Sequence, residues 1–110
     1  MNPFRTCNPT EHALSRRQFL ALLAEAQGRA GRREEALELL AQAWDQTERG
    51  GERWHEAELH RIRGDIMATG SSADVLQARA CYVQAMNVAQ AQRAHVWHQR
   101  AAMALAALPA

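Results

Sequence analysis

The sequence predicts an all-α domain of about five helices paired as antiparallel hairpins, and three observations carry that prediction. Hydrophobic residues make up 47% of the 110 positions, yet aromatics only 5%, and alanine, leucine, glutamate, glutamine and arginine dominate where strand formers are scarce. Apolar residues recur at three-and-four spacing, and no useful stretch alternates with a period of two. Glycine, proline and serine cut the chain into helix-length pieces. A chain of this length can bury roughly two-thirds of the surface that it exposes when unfolded, enough for one core.

The first segment can be capped by Asn8, with Pro9 at its first helical position and Glu11 three residues after the cap. It runs toward Arg29 and is stopped by Gly31. The second runs from about Arg33 to Glu48, its Ala36, Leu37, Leu40, Ala43 and Trp44 on one face, and Gly50-Gly51 ends it. The third runs from about Glu52 to Thr69 and is closed by Gly70. Ser71 or Ser72 caps the fourth, Asp74 suits its first turn, and Val75, Ala78, Tyr82, Ala85, Met86 and Ala89 follow toward Gln92. The fifth spans about Ala94 to Leu108 and stops at Pro109. The break before it is the least marked, because Arg93-Ala94 holds neither glycine nor proline.

Charge and cysteine usage exclude several classes. The net charge is +1, from 13 basic and 12 acidic residues, and the basic pairs are interleaved with acids, so no phosphate-neutralising patch for nucleic acid is expected. Cys7 and Cys81 are far apart, which argues against a disulfide framework or a zinc site and fits a reducing cytoplasm. Cys81 reads as a small core residue. No apolar stretch approaches the roughly 20 residues of a membrane span, and the N-terminus has no signal-peptide core.

Two copies of one pattern are visible. Ala36-x3-Leu40-x2-Ala43 recurs downstream as Ala78-x3-Tyr82-x2-Ala85. Ahead of each copy, Leu20-x2-Leu23-Ala24 is matched at nearly the same offset by His60-x2-Arg63-Gly64, and Trp97-x2-Arg100-Ala101 offers a partial third copy. Small residues at fixed spacing let helices approach closely. Gly64 inside a helix costs up to about 1 kcal/mol relative to alanine, so close contact with a neighbouring backbone is its expected reason. With Gly31, Ala36, Leu40 and Ala43 in one unit and Gly64, Ala78, Tyr82 and Ala85 in the next, the chain resembles the tetratricopeptide repeat family. Residues 16–108 look like the C-terminal helical arrays of large bacterial regulators that carry an ATPase module with a cyclase or helix-turn-helix output. The usual Trp position is not filled in either unit, proline is absent from the repeat ends, and the periods are longer than the family's own. None of the nucleotide-binding or cyclase machinery is present, so none of that activity is implied.

The resemblance implies a short solenoid: an extension over 1–8, then a single domain over 9–110. Within it, repeat 1 covers about 17–50, repeat 2 about 57–92 and a terminal helix about 94–108. It also implies a non-catalytic role, binding a peptide or protein through a groove lined by the first helix of each unit. That register projects Gln18, Glu25 and Arg29, then Glu58, Arg61 and Asp65, then His95 and His98 toward the groove. The mixed signs suit a short polar peptide held by charge-assisted hydrogen bonds.

No catalytic constellation competes with this reading, and no cofactor is expected. His55 and His60 lie about 140° apart around a helix and cannot share one ion as a zinc-protease pair at i and i+4 would. His95 and His98, at i and i+3, would need further ligands from elsewhere, and read as a polar helix surface. Trp44, Trp54 and Trp97 read as core or staple residues. The runs from Arg32 to Glu35 and from Glu56 to Arg63 read as solvated faces laced by i,i+4 pairs.

A homodimer is the alternative role. From Ala101 the chain reads Ala-Ala-Met-Ala-Leu-Ala-Ala-Leu, apolar on every face, and no sixth helix follows to cover it. The expected twofold surface comprises Trp97, Ala101, Met103, Ala104, Leu105 and Leu108.

Overall fold

A computed structural model describes residues 16–50 and 55–109, and among them there are five helices and no strand. They are α1 (Arg16–Arg29), α2 (Arg33–Gly50), α3 (Glu56–Met67), α4 (Ser72–Ala91) and α5 (His95–Ala107). The expected cap at Asn8-Pro9-Glu11, the extension over 1–8, Cys7, Trp54 and a start of the third helix at Glu52 lie outside the described residues. Two boundaries differ from expectation by more than one residue. Helix α2 continues through Gly50, and α3 ends at Met67, after which the Thr69 hydroxyl donates to the Ile66 carbonyl at 3.1 Å.

Two of the joints are built from the same turn. After α1, Gly31 takes φ +83°, its N–H donates to Gly28 and the next N–H, of Arg32, donates to Gln27. After α4, Arg93 takes φ +58°, with Arg93 N–H on Gln90 and Ala94 N–H on Ala89. Both are paired backbone closures with one residue in the left-handed region. Glycine reaches that region without strain, whereas Arg93 reaches it against its own Cβ. The α3–α4 joint uses side chains instead. Ser71 and Asp74 form a reciprocal capping box at the start of α4. Asp74 also accepts from Arg33 at 2.9 Å, tying the start of α2 to the start of α4.

Links of a few residues make α1–α2, α3–α4 and α4–α5 antiparallel neighbours, and α3 also touches α1, α2 and α5. One core joins Leu20, Ala21 and Ala24 of α1, Ala36, Leu40 and Ala43 of α2, and Leu59, Ile62 and Ile66 of α3. A second joins Met67, Ala78 and Tyr82, covered by Ala104, Leu105 and Leu108. Fully burying a leucine such as Leu59 contributes about 1.5–3 kcal/mol, so the few large side chains carry most of the apolar gain. The alanines contribute closeness. Ala36, Ala43, Gly64, Ala78 and Ala85, expected at tight contacts, are all buried. At Gly64 a Cβ would sit 2.5 Å from Tyr82 Cε1, so the Tyr82 ring lies directly on the α3 backbone.

The expectation that nothing covers the end of α5 does not hold. Ala101 is fully buried, and Ala104, Leu105 and Leu108 are half-buried against the second core. The hairpin partner α4, with Met67 at the end of α3, covers one side of this helix, while Ala106 and Ala107 stay exposed. Trp97 is half-buried against His55, which leaves Met103 as the open member of the expected dimer surface, with Val96 beside it.

Candidate functional site

Glu58, Arg61 and Asp65 share one side of α3 by their i, i+3 and i+7 spacing, next to the apolar side formed by Ile62 and Ile66. Their charge predicts a solvated face; instead Glu58 and Arg61 are each only 6% exposed. The physical reason is that α1 and α5 flank α3 and roof this side over. A buried guanidinium must be paired and hydrogen-bonded, and Arg61 is. Its Nε donates to Glu58 at 2.8 Å, Nη1 to Asp65 at 2.6 Å, and Nη2 to Glu25 of α1 at 3.1 Å. The second oxygen of Glu58 accepts from Arg100 of α5 at 2.8 Å, and the second oxygen of Asp65 accepts from the Tyr82 hydroxyl at 2.5 Å. Arg29 reaches Glu25 from the outside at 3.4 Å.

The result is one network across α1, α3 and α5, with three arginines against three carboxylates. Burial on its own would lower the Arg61 pKa, but the Glu58 hydrogen bonds and the nearby acids outweigh it and hold the guanidinium charged. Burial, then the bond to Asp65, push the Tyr82 hydroxyl above its usual range. Neither is poised to exchange a proton near neutral pH. Each nitrogen of the Arg61 fork is committed to a carboxylate, which holds α1 and α3 in register.

Of the residues projected onto a groove, Glu25, Arg29, Glu58, Arg61 and Asp65 are brought together. Gln18, two turns before Glu25, lies half-buried on the same side of α1. A cleft of about 80 Å³ opens beside the network, lined by Glu25, Gly28, Arg29, Ile62, Asp65 and Thr69. That is room for a small side chain, well below the roughly 300 Å³ and more of a small-molecule pocket. His95 and His98 are elsewhere. They line a cleft with Ala89, Gln90 and Arg93, on the α4 side of α5 and away from Arg100. Among the described residues no group of three or more His, Cys, Asp or Glu is placed to hold a metal.

His55 and His60 turn to different helices: His60 meets Trp44 of α2 edge-on at 4.8 Å, and His55 meets Trp97 of α5 at 5.5 Å. Burial lowers the pKa of both. Cys81 is half-buried and burial raises its thiol pKa. Tyr82 and Arg100 are the network members that the sequence reading misses. A signal exists for Tyr82, since a buried tyrosine needs a partner for its hydroxyl and Asp65 adjoins the glycine that its ring covers.

No family model, no curated protein and no solved structure matches the chain. Among the described residues no helix is long and apolar enough to cross a membrane.

Proposed function

We propose that this chain is a non-catalytic, tetratricopeptide-like interaction module that holds a polar peptide segment of a cytoplasmic protein partner along the side formed by α1, α3 and α5. One observation supports this reading most. The two outer arginines of the network, Arg29 and Arg100, keep 77% and 50% of their side chains exposed while their inner partners are fixed by burial. Preorganised guanidinium heads suit carboxylate and carbonyl acceptors on an extended peptide, and the small cleft beside Arg29 would take one short side chain.

The test follows from what is buried. Removing Arg61 or Glu58 would disturb the fold, so binding is probed at Arg29 and Arg100. Peptides selected from a display library against the folded domain should bind the Arg29→Ala and Arg100→Ala variants about tenfold more weakly, the scale of one charge-assisted hydrogen bond each. Selected peptides that bind both variants as well as the parent would refute the site.

Self-association is the second reading, and the observation favouring it is the pair Val96 and Met103, 68% and 65% exposed on one side of α5. Light scattering at micromolar concentration should then give a dimer mass that Met103→Glu reduces to a monomer. A monomer mass for the parent chain would end this reading.

A further inference from the structure

The acids are distributed unevenly along the chain. All 12 stand at or before Asp74, so residues 1–74, with ten arginines, carry −2, while residues 75–110 hold three arginines and no acid and carry +3. Of those three arginines, Arg100 is neutralised by Glu58 and Arg79 donates to the Pro109 carbonyl. Arg93 makes no ion pair or side-chain hydrogen bond among the described residues, and neither do His95 and His98. These three line one cleft of about 410 Å³ at the elbow between α4 and α5, with Gln90 as a neutral donor and Ala89 at its side. The Arg93 backbone is also fixed in place, as the left-handed residue of the turn that closes α4.

We infer that this elbow binds an anionic side chain, carboxylate or phosphate, carried on a partner polypeptide. A guanidinium and two imidazoles around one open cleft, with no carboxylate among its described lining residues, give charge-assisted donors to an oxyanion from several directions. A nucleic acid is a poorer fit, since three groups in one cleft do not form the extended basic track that a phosphate backbone needs. The elbow faces away from Arg100 and shares no residue with the network, so it can bind whether or not the α1–α3–α5 side does.

The experiment is an amide-shift titration of the ¹⁵N-labelled chain with four probes: inorganic phosphate, a glutamate-rich peptide, a phosphoserine peptide and a neutral glutamine peptide of the same length. Shifts confined to about residues 89–98, given by the glutamate or the phosphoserine peptide and absent with the neutral one, are the expected result. Arg93→Asn removes the charge while supplying a residue that tolerates a positive φ, and it should weaken that binding about tenfold or more. His98→Gln should weaken it by a smaller factor. No shift at the elbow with either anionic peptide, or unchanged affinity in Arg93→Asn, would overturn the assignment. An equal response to inorganic phosphate and to both anionic peptides would overturn the polypeptide partner, as would tighter binding of an RNA or DNA oligonucleotide. Shifts at residues 25–29, 58–65 and 100 report the other side separately, so the two sites stand or fall on different signals.

Discussion

Gly64→Ala is the substitution for which helix propensity and packing give opposite signs. Propensity alone favours alanine by about 1 kcal/mol. The structure reverses this, because the new Cβ would lie 2.5, 2.8 and 3.0 Å from Cε1, Cδ1 and Cζ of Tyr82. Ordinary carbon contacts sit at about 3.5–4.0 Å, so the ring must withdraw by roughly 1 Å. It has little freedom to do so. Tyr82 is 2% exposed, and its hydroxyl is bound to Asp65, which also holds Arg61. Overpacking costs about 1–3 kcal/mol, and a lost hydrogen bond to a charged acceptor about 1.5–3 kcal/mol. After the propensity gain is subtracted, Gly64→Ala should destabilise the domain by about 1.5–5 kcal/mol. That corresponds to a fall in melting temperature of roughly 6 °C or more for a domain of this size. Gly28→Ala is the internal control: there the Cβ meets the side chain of Ile66 at 3.0 Å, with no hydroxyl to anchor it, and the change should be close to neutral. Urea unfolding followed by circular dichroism measures both. A Gly64→Ala protein as stable as the parent, or more so, would refute the claim that Tyr82 is pinned against the α3 backbone.

Three other perturbations have definite signs. Arg61→Leu leaves Glu58 buried with one remaining cation, and should cost about 3–5 kcal/mol in chemical denaturation; Arg61→Lys should recover only part, since a single ammonium cannot reproduce the guanidinium fork. Arg93→Gly relieves a left-handed residue and should stabilise by about 1 kcal/mol, whereas Arg93→Val should destabilise; equal melting temperatures for the two would contradict the assigned turn. The Arg33 hydrogen bond, helped by the Ser71 N–H, lowers the Asp74 pKa to about 2 from 3.8. Because the folded value is the lower one, its stabilisation is present above about pH 4 and is lost as pH falls toward 2. Asp74→Asn should therefore be less stable than the parent at pH 5 and converge with it near pH 2 in urea midpoints.

The helices are legible in the sequence because their signals are local. Gly31, Ser71 and the Ala36 and Ala78 spacings each act within a turn or two of themselves. The stop at Arg93 can also be located, although only the structure shows that an arginine does there what Gly31 does after α1. What the sequence withholds are the relations between helices. Glu58 and Arg61 carry the same charges whether they face water or each other, and only the arrival of α1 and α5 on either side decides. Likewise the alanine run from Ala101 shows that this helix can be covered, not by which neighbour. Repeat register projects His95 and His98 to the α3 side. Each stands next but one before Trp97 or Arg100, however, which puts it on the opposite side of the helical turn and faces it toward α4.

The ionic network has a mechanical consequence. Alanine-lined helix faces are nearly smooth, with few side-chain ridges to stop one rod from sliding along another. Arg61 and Glu58 supply the missing teeth: a slip of one turn, about 5.4 Å, between α3 and either flank would carry Glu25 or Arg100 out of reach and strand a charge away from water. Apolar contact draws the helices together, and the salt bridges set the notch at which they stop.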